Sequence, residues 1–332
     1  MTYADGRYGA LDIGTVTCRL LVADVEDGRI IDVDKEYAIT DLGVGVDATG
    51  RLSEAAIERV LACVDRYLEV LARYDTPEHP VRRLIAMATS ASRDAANGPE
   101  FAARLAERGI TLAVIPGSRE AQLTFLGASS DFPGENLLVV DIGGGSTEVV
   151  AGRFGEDPVA SHSFNIGCRR VTERFFSALP PADGELAAAA AWANEQFAGY
   201  FESLPVDFER AERLVAVGGT VTTLVALVHE LEPYDSSFVH LRELSMEQIS
   251  AAIEHMSVLD ADGIAALPGV QPKRAGVILA GAVVIRELMR ASGYKTLTVS
   301  ENSLLAGMAA TINEVLDGAT PTIAWTPTLS TL

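Results

Sequence analysis

The sequence has little cysteine, little histidine and little positive charge. Three cysteines occur in 332 residues, and no two of them form a CxxC pair. An odd number at wide spacing indicates neither a disulfide framework nor a zinc site, so Cys18, Cys63 and Cys168 are expected to be small buried apolar residues. Five scattered histidines likewise predict no histidine metal centre.

Acidic residues outnumber basic ones by 46 to 26, which gives a formal net charge of −20. This charge excludes nonspecific binding to nucleic acid or to an anionic membrane, and it also repels an anionic ligand at long range. Any anion site must therefore be built locally, although pairing with a nearby carboxylate is the alternative for each arginine. The candidate cations are Arg19, Arg93, Arg119, Arg153, Arg169, Arg170, Lys273 and Arg274.

Long apolar runs and targeting signals are also lacking. No run reaches the ~18 residues that a membrane helix needs, and the start, MTYADGRYG, does not have the layout of a signal peptide. We therefore expect a cytoplasmic protein. A length of 332 residues exceeds the usual limit for one hydrophobic core and predicts two domains.

The most informative stretch is a glycine hairpin, LLVVDIGGGSTEVV (Leu137–Val150). Continuous Leu and Val on both flanks predict buried strands, and glycine leaves no Cβ between main-chain N–H groups and a ligand. Such a turn can bind phosphate, while Asp141 and Glu148 supply two carboxylates suited to a hydrated Mg²⁺. An ordinary tight hairpin is the alternative. The predicted phosphate-binding residues are Gly143, Gly144, Gly145, Ser146 and Thr147.

The N-terminus carries a second copy of this hairpin. LDIGTVTCRLLVAD (Leu11–Asp24) aligns with VDIGGGSTEVVAGR (Val140–Arg153), although chance similarity of two hairpins is the alternative. Two related domains would follow, with the two turns facing each other across a cleft and gripping a phosphate chain from opposite sides. The candidate phosphate-binding residues of this copy are Asp12, Gly14, Thr15, Thr17 and Arg19.

Strands and helices alternate along the rest of the chain, which predicts an α/β fold. We place the N-terminal domain at residues 1–129, the C-terminal domain at 130–317, and a mobile Thr- and Pro-rich tail at 318–332. Asp27-Gly28 is the predicted turn before the third strand, and the Ala-rich segment Glu185–Leu204 is a predicted helix.

Three residues or turns outside the hairpins are further candidates. Arg93 follows a predicted strand at a helix start, where free N–H groups and a forked cation suit an anion, although a surface arginine is the alternative. Gly218, Gly219 and Thr220 form another glycine turn, suited to a ribose, a base or the far end of a phosphate chain. Glu120 lies in the first turn of a helix, where acids commonly only complement the dipole.

Several chemistries are excluded because their motifs are absent. The sequence has no GxxxxGK[ST], no GxGxxG in the turn, no GxSxG and no HExxH. What remains is phosphate held by backbone amides, arginine and a carboxylate-bound cation. Hydrolysis and transfer to an acceptor both fit that description.

Eight segments in order resemble the Ppx/GppA family of exopolyphosphatases and guanosine pentaphosphate phosphatases. They are ALDIGTVTCRLLV, ATSASRDAAN, REAQLTFLG, VVDIGGGSTE, NIGCRRVTERF, VGGTVTTLVAL, RAGVILAGAVV and VSENSLLAGM, from about Gly9 to Met308. DIGGGSTE together with ATSAxR is specific, whereas DIG alone indicates only the wider actin, Hsp70 and sugar-kinase superfamily.

The resemblance implies two ribonuclease-H-like domains around an interdomain cleft, and Mg²⁺-dependent cleavage of a terminal phosphate, with Mn²⁺ as the other metal considered. It assigns the base to Glu120, the phosphate-gripping arginine to Arg93 and the metal-side carboxylates to Asp141 and Glu148. The expected substrate is inorganic polyphosphate. Guanosine pentaphosphate or a nucleoside triphosphate is the alternative, a non-catalytic sensor is the second, and assembly as a homodimer stays open.

Three features depart from the family pattern. Val16 stands where relatives usually have Asn, which removes a polar group from the first turn. Arg119 precedes Glu120 where relatives often have a second glutamate, and the added cation favours either polyanion binding or helix stability. Longer relatives also have an additional C-terminal helical domain, for which this sequence has no counterpart.

Overall fold

The computed structural model describes residues 6–26, 29–156, 158–203, 211–316, 318 and 321–331. The predicted Asp27-Gly28 turn and the end of the predicted helix at Leu204 lie outside these residues. The strands are β1 (Gly6–Ile13), β2 (Thr17–Glu26), β3 (Arg29–Ile39), β4 (Val81–Ala88), β5 (Leu112–Val114), β6 (Asn136–Ile142), β7 (Thr147–Arg153), β8 (Ala160–Phe164), β9 (Arg213–Val217), β10 (Arg242–Ser245) and β11 (Thr296–Val299).

The helices alternate with these strands, as predicted. They are α1 (Val46–Thr49), α2 (Glu54–Tyr74), α3 (Ser90–Asp94), α4 (Gly98–Ala106), α5 (Gly117–Ser129), α6 (Cys168–Phe175), α7 (Glu185–Ser203), α8 (Gly219–Val228), α9 (Ser236–Val239), α10 (Met246–Met256), α11 (Ala261–Ala265), α12 (Ala275–Ser292) and α13 (Leu304–Leu316). Among the described residues, no helix combines the length and the apolar character needed to span a bilayer.

The chain divides into two compact units. The first unit consists of Met1–Ser130 together with Asn302–Leu332, and the second consists of Asp131–Glu301. The first break lies next to the predicted boundary between residues 129 and 130. The C-terminal segment differs from expectation, because it belongs to the first unit rather than to the domain that precedes it.

The first unit is built on a sheet with strand order β3-β2-β1-β4-β5. β1 pairs antiparallel with β2 and parallel with β4, so β1 is flanked on both sides and its apolar residues are buried. Helix α2 begins where the Ser53 hydroxyl accepts a hydrogen bond from the amide of Ala56, and its apolar stripe packs on one face of the sheet. Helices α5 and α13 cover the other face through Leu123, Leu304 and Met308.

The second unit has a sheet with strand order β10-β11-β9-β6-β7-β8. β6 pairs antiparallel with β7 and parallel with β9, as β1 does with β2 and β4. Helix α12 is buried along most of its length, because its apolar run from Val277 to Ile285 packs into this core. The short strand β10 lies at the edge of this sheet.

The predicted internal repeat is present as one topology used twice. Strands β1, β2, β3, β4 and β5 of the first unit correspond in order and direction to β6, β7, β8, β9 and β11 of the second. In each hairpin four residues separate the last strand pair, Ile13 with Cys18 and Ile142 with Thr147. The two glycine turns are therefore equivalent residue by residue.

The C-terminal tail, predicted to be mobile, is packed in its described part. Ser330 forms an antiparallel bridge with Leu84 of β4, and Ile323 is only 9% exposed. Its composition suggested mobility, but Ile323, Trp325 and Leu329 each contribute apolar surface to the first unit's core. All three cysteines are buried and free, as expected.

The assignment of α13 to the first unit depends on two glycines. A Cβ at Gly307 would lie 1.9 Å from the carbonyl oxygen of Leu123, and one at Gly127 would lie 2.1 Å from the carbonyl oxygen of Ser303. The backbones of α5 and α13 therefore touch directly at both positions. No side chain larger than hydrogen fits there unless the helices move apart.

We predict that Gly307→Ala destabilises the protein by about 1–3 kcal/mol, the usual cost of overpacking. Chemical denaturation of wild type and variant measures the free energy of unfolding. The matched control is Gly199→Ala in α7, where a Cβ meets nothing within 4 Å. That change should be neutral or stabilising by up to about 1 kcal/mol, and equal stability of the two variants would contradict the close approach of α5 and α13.

Candidate active site

The triple-glycine turn of the second unit joins β6 to β7. The amide of Gly143 donates to the carbonyl of Ser146 at 3.0 Å, which closes the turn. Asp141 and Glu148 are direct partners across the two strands, so their side chains lie on the same face of the sheet. Both are buried, at 7% and 1% exposure. The two carboxylates therefore lie next to each other beside the turn.

Helix α6 fixes this turn from behind. The amides of Cys168 and Arg169 donate to the carbonyls of Gly143 and Gly144 at 3.0 and 2.9 Å, and Nε of Arg170 donates to the carbonyl of Gly145 at 2.9 Å. Among the described residues, the amides of Gly144 and Gly145 donate to no acceptor. The carbonyls of the three glycines therefore accept hydrogen bonds from α6, whereas the amides of Gly144 and Gly145 can donate to a ligand.

Gly167, immediately before α6, makes this contact possible. A Cβ at this position would lie 2.4 Å from both the carbonyl carbon and the carbonyl oxygen of Gly144. Sequence reasoning did not single out Gly167 or the helix amides as site residues. A glycine directly before a helix, in NIGCRR, was the available signal.

The Gly-Gly-Thr turn lies beside Asp141. Gly218 has a φ of +94°, and a Cβ there would lie 2.7 Å from Oδ1 of Asp141, so only glycine suits the position. A Cβ at Gly219 would lie 1.8 Å from Nη2 of Arg274, whose side chain is buried. The second unit therefore gathers the predicted residues of two separate turns and one cation of the candidate set.

Cys168 lies at the same place but is unsuited to nucleophilic chemistry. Burial raises the pKa of its thiol, although the positive charges of Arg274 and Arg169 oppose this effect. A thiol that stays protonated is a poor nucleophile. We therefore regard Cys168 as a packing residue, and Thr220, which bonds to it, as part of the same buried layer.

The carboxylates fit a metal ion of a particular kind. Among the described residues, no group of three or more His, Cys, Asp or Glu side chains could hold a metal ion by itself. Mg²⁺ commonly binds through one or two carboxylates together with water and substrate phosphate. Asp141 and Glu148 meet that requirement, and the Ser163 hydroxyl, 2.7 Å from Oε1 of Glu148, orients one of them.

The first unit has the same turn between β1 and β2, but different residues bond to its carbonyls. The amide of Gly14 donates to the carbonyl of Thr17 at 2.8 Å, as Gly143 does to Ser146. The carbonyl of Thr15 accepts from the amide of Gly43 at 2.8 Å, and that of Val16 accepts from Thr40 at 2.9 Å. A loop therefore fixes this turn, in the role that α6 has in the second unit. Val16 contributes its backbone, and its side chain is buried.

Arg19 occupies the position in the first unit that Glu148 occupies in the second. It is the cross-strand partner of Asp12, and its Nε and Nη2 donate to Oδ2 of Asp12 at 2.9 and 2.7 Å. The first turn therefore carries a paired acid and base, whereas the second carries two acids. Oδ1 of Asp12 is buried and accepts no hydrogen bond from any described residue, which leaves it available to a ligand or to water.

Arg93 and Glu120 come together within the first unit. Nη1 of Arg93 lies 3.4 Å from Oε2 of Glu120 and donates to the carbonyl of Ile115 at 3.0 Å. The Glu120 side chain is 9% exposed and that of Arg93 is 24% exposed. Nε and Nη2 of Arg93 donate to no described residue. A buried carboxylate thus lies next to a partly open guanidinium.

Three other candidate cations lie away from the Arg93 and Glu120 pair or are held by other residues. Arg119 contacts the C-terminal tail, Arg169 lies 3.8 Å from Glu173, and Lys273 is exposed next to the buried Arg274. Arg119 therefore does not reach the Arg93 and Glu120 pair, although it adjoins Glu120 in sequence. The structure describes these two sets of site residues, one in each unit.

Comparison with known proteins gives one consistent result. A family model described as the Ppx/GppA phosphatase family matches residues 21–313. The chain is 37% identical over 322 residues to "Exopolyphosphatase 2" of Mycobacterium tuberculosis, covering 92% of this chain and 98% of that one. Two crystal structures are also similar: a Ppx/GppA family member from Aquifex aeolicus (TM-score 0.77, 30% identity, 95% and 99% coverage) and an exopolyphosphatase from Cytophaga hutchinsonii (TM-score 0.82, 26% identity, 94% and 98% coverage).

The duplicated α/β topology and these relatives define an enzyme with the two-domain fold of the actin and Hsp70 superfamily, a phosphoanhydride hydrolase of the exopolyphosphatase type. The chain belongs to the Ppx/GppA phosphatase family. The resemblance seen in its motifs is thereby confirmed, and so is the predicted fold class.

We predict that Gly167→Ala lowers kcat/KM for phosphoanhydride hydrolysis by about 10², the scale expected when a binding group moves by ~1 Å. The added methyl group must displace Gly144, because the two backbones are in contact there. Phosphate release measures the effect, with Gly199→Ala as the control. Wild-type kinetics in a folded Gly167→Ala enzyme would mean that the position of the turn does not matter.

Proposed function

We propose that the protein is a Mg²⁺-dependent exopolyphosphatase that hydrolyses the terminal phosphate of inorganic polyphosphate. The observation that carries the choice of substrate is the similarity to Exopolyphosphatase 2, which extends over almost the full length of both chains. The geometry of the two turns is compatible with it, because backbone amides and arginines recognise phosphate without needing a base or a sugar.

In this proposal Glu120 is the general base. It removes a proton from a water molecule as the water oxygen bonds to the terminal phosphorus, and the phosphoanhydride bond breaks to release a chain shorter by one phosphate. Arg93 supports this role because it lies 3.4 Å from the Glu120 carboxylate and keeps two nitrogens free of described partners. Positioning and charge neutralisation of this kind supply most of the catalysis in phosphoryl transfer.

The second unit supplies phosphate binding. The amides of Gly144 and Gly145 are oriented by the carbonyl contacts of α6 and would hold phosphate oxygens. Asp141 and Glu148 would hold Mg²⁺, which when bound neutralises charge on the phosphate oxygens. Hydrolysis of guanosine pentaphosphate remains the second candidate, because the Gly218 backbone lies next to Asp141 and offers a further ligand-binding turn.

The substrate is tested by measuring phosphate release from polyphosphates of graded length, with guanosine pentaphosphate and a nucleoside triphosphate in parallel. We expect the highest kcat/KM with polyphosphate, and no release after the metal is removed with a chelator until Mg²⁺ is restored. A higher kcat/KM for guanosine pentaphosphate would select the second candidate. Full activity in the chelated enzyme would exclude the metal.

We predict that Glu120→Gln lowers kcat by a factor of about 10² or more and leaves KM largely unchanged, since the amide keeps the size of the side chain but cannot accept the proton. Steady-state kinetics on polyphosphate measures both values. Glu58→Gln is the matched control, because Glu58 also pairs with an arginine, Arg104, but is exposed on α2. Retained turnover in Glu120→Gln would remove Glu120 from the mechanism.

A further inference from the structure

Residues 321–331, which we call the C-terminal strap, are attached to the sheet of the first unit. The amide of Ser330 donates to the carbonyl of Leu84 at 2.8 Å, and the amide of Leu84 donates back at 3.0 Å. β5 pairs with β4 only at Ala86–Ala88, so Ser330 bonds to β4 beyond the end of that pairing. The amide of Thr111 donates to the Ser330 hydroxyl at 2.9 Å. The strap thereby protects an edge of β4 that would otherwise be open.

Apolar contacts hold the middle of the strap. Ile323 is buried in the same cluster as Ile115 and Leu123, while Trp325 and Leu329 pack against that cluster. Ile115 immediately precedes the turn into α5, and Leu123 belongs to α5. The strap therefore contacts the elements that carry Glu120.

Arg119 makes the polar connection between strap and helix. Its Nη1 donates to the carbonyl of Ile323 and to Oε1 of Gln122, the latter at 2.8 Å. Its guanidinium carbon lies 5.5 Å from the centre of the Trp325 ring, a cation–π distance. The extra cation considered for polyanion binding is thus occupied by the protein's own C-terminal segment.

The first turn of α5 has no side-chain cap. Its N-cap residue is Pro116, which offers no side-chain hydrogen bond to the free amides of the turn. Arg119 and Glu120 both donate their amides to the carbonyl of Pro116, at 2.9 and 3.1 Å. Because successive helical side chains point about 100° apart, one faces the strap and the other faces Arg93.

We propose that Arg119 is a positioning residue, which uses the C-terminal strap to hold the first turn of α5 and thereby sets the place of the Glu120 carboxylate. Arg119 does not touch substrate in this scheme. The inference rests on the proposed role of Glu120 as the base.

The kinetic test compares Arg119→Ala and Arg119→Lys with wild type on polyphosphate. We expect Arg119→Ala to lower kcat about tenfold, since misplacement of a catalytic group acts on the chemical step, and to leave KM within about twofold. Lysine can donate to Ile323 and approach the Trp325 ring, so Arg119→Lys should restore part of kcat. Arg174→Ala is the matched control, because Arg174 lies 4.6 Å from the ring of Trp192, the other tryptophan, and should leave both values unchanged.

A second readout follows the strap without using activity. The chain has two tryptophans, so in a Trp192→Phe background only Trp325 emits. Adding Arg119→Ala should move the emission to longer wavelength and increase quenching by acrylamide. Thermal unfolding of each variant verifies that the protein is folded at the assay temperature.

Each other outcome overturns the inference. A raised KM with unchanged kcat would assign Arg119 to phosphate binding, and a lowered kcat with unchanged Trp325 emission would mean that Arg119 does not act through the strap. A shifted emission with wild-type kcat would show that the strap does not determine the position of the Glu120 carboxylate. A wild-type enzyme that releases no phosphate would overturn the proposed function and this inference together, whereas wild-type activity that Arg119→Ala does not change overturns the inference alone.

Discussion

The site depends on how the carbonyls of the glycine turns are satisfied. In the second unit they accept hydrogen bonds from backbone amides of α6 and from the Arg170 side chain of the same helix. In the first unit they accept from the loop that contains Thr40 and Gly43. A buried carbonyl needs a hydrogen-bond donor. When a neighbouring element supplies that donor, the amides of the turn can still donate to an anion. The same constraint is thus met twice by different elements, which explains why the turns are equivalent although their surroundings are not.

Charge is what distinguishes the two copies. The cross-strand position that holds Arg19 in the first unit holds Glu148 in the second. Arg19 neutralises Asp12 in the first unit, whereas Asp141 and Glu148 place two acids side by side in the second, an arrangement that positive charge nearby makes more favourable. Duplication followed by a change of charge at this position accounts for an ion pair beside one turn and a pair of acids beside the other.

Much of the fold was predictable from local pattern. The strand pair at the triple glycine and the repeat of Asp12 on Asp141 depend on neighbours within a few residues, where periodicity and turn chemistry act. The contact between Arg93 and Glu120 was not predictable from local pattern. The two residues are 27 positions apart, and their contact depends on where β5 and α5 pack. Local pattern singled out both residues and the resemblance to a family supplied their roles, but their distance comes from the structure.

Sequence alone determined where the chain makes its triple-glycine turn, because three glycines between two apolar strands leave backbone amides uncovered by side chains. It also determined that the unit occurs twice, since the same pattern recurs 129 residues later. Tertiary structure decided the return of α13 to the first unit through Gly127 and Gly307, and the partner of Arg119 at Ile323, 204 residues away. Contacts at such separation are selected by packing and by burial of polar groups, which no local pattern records.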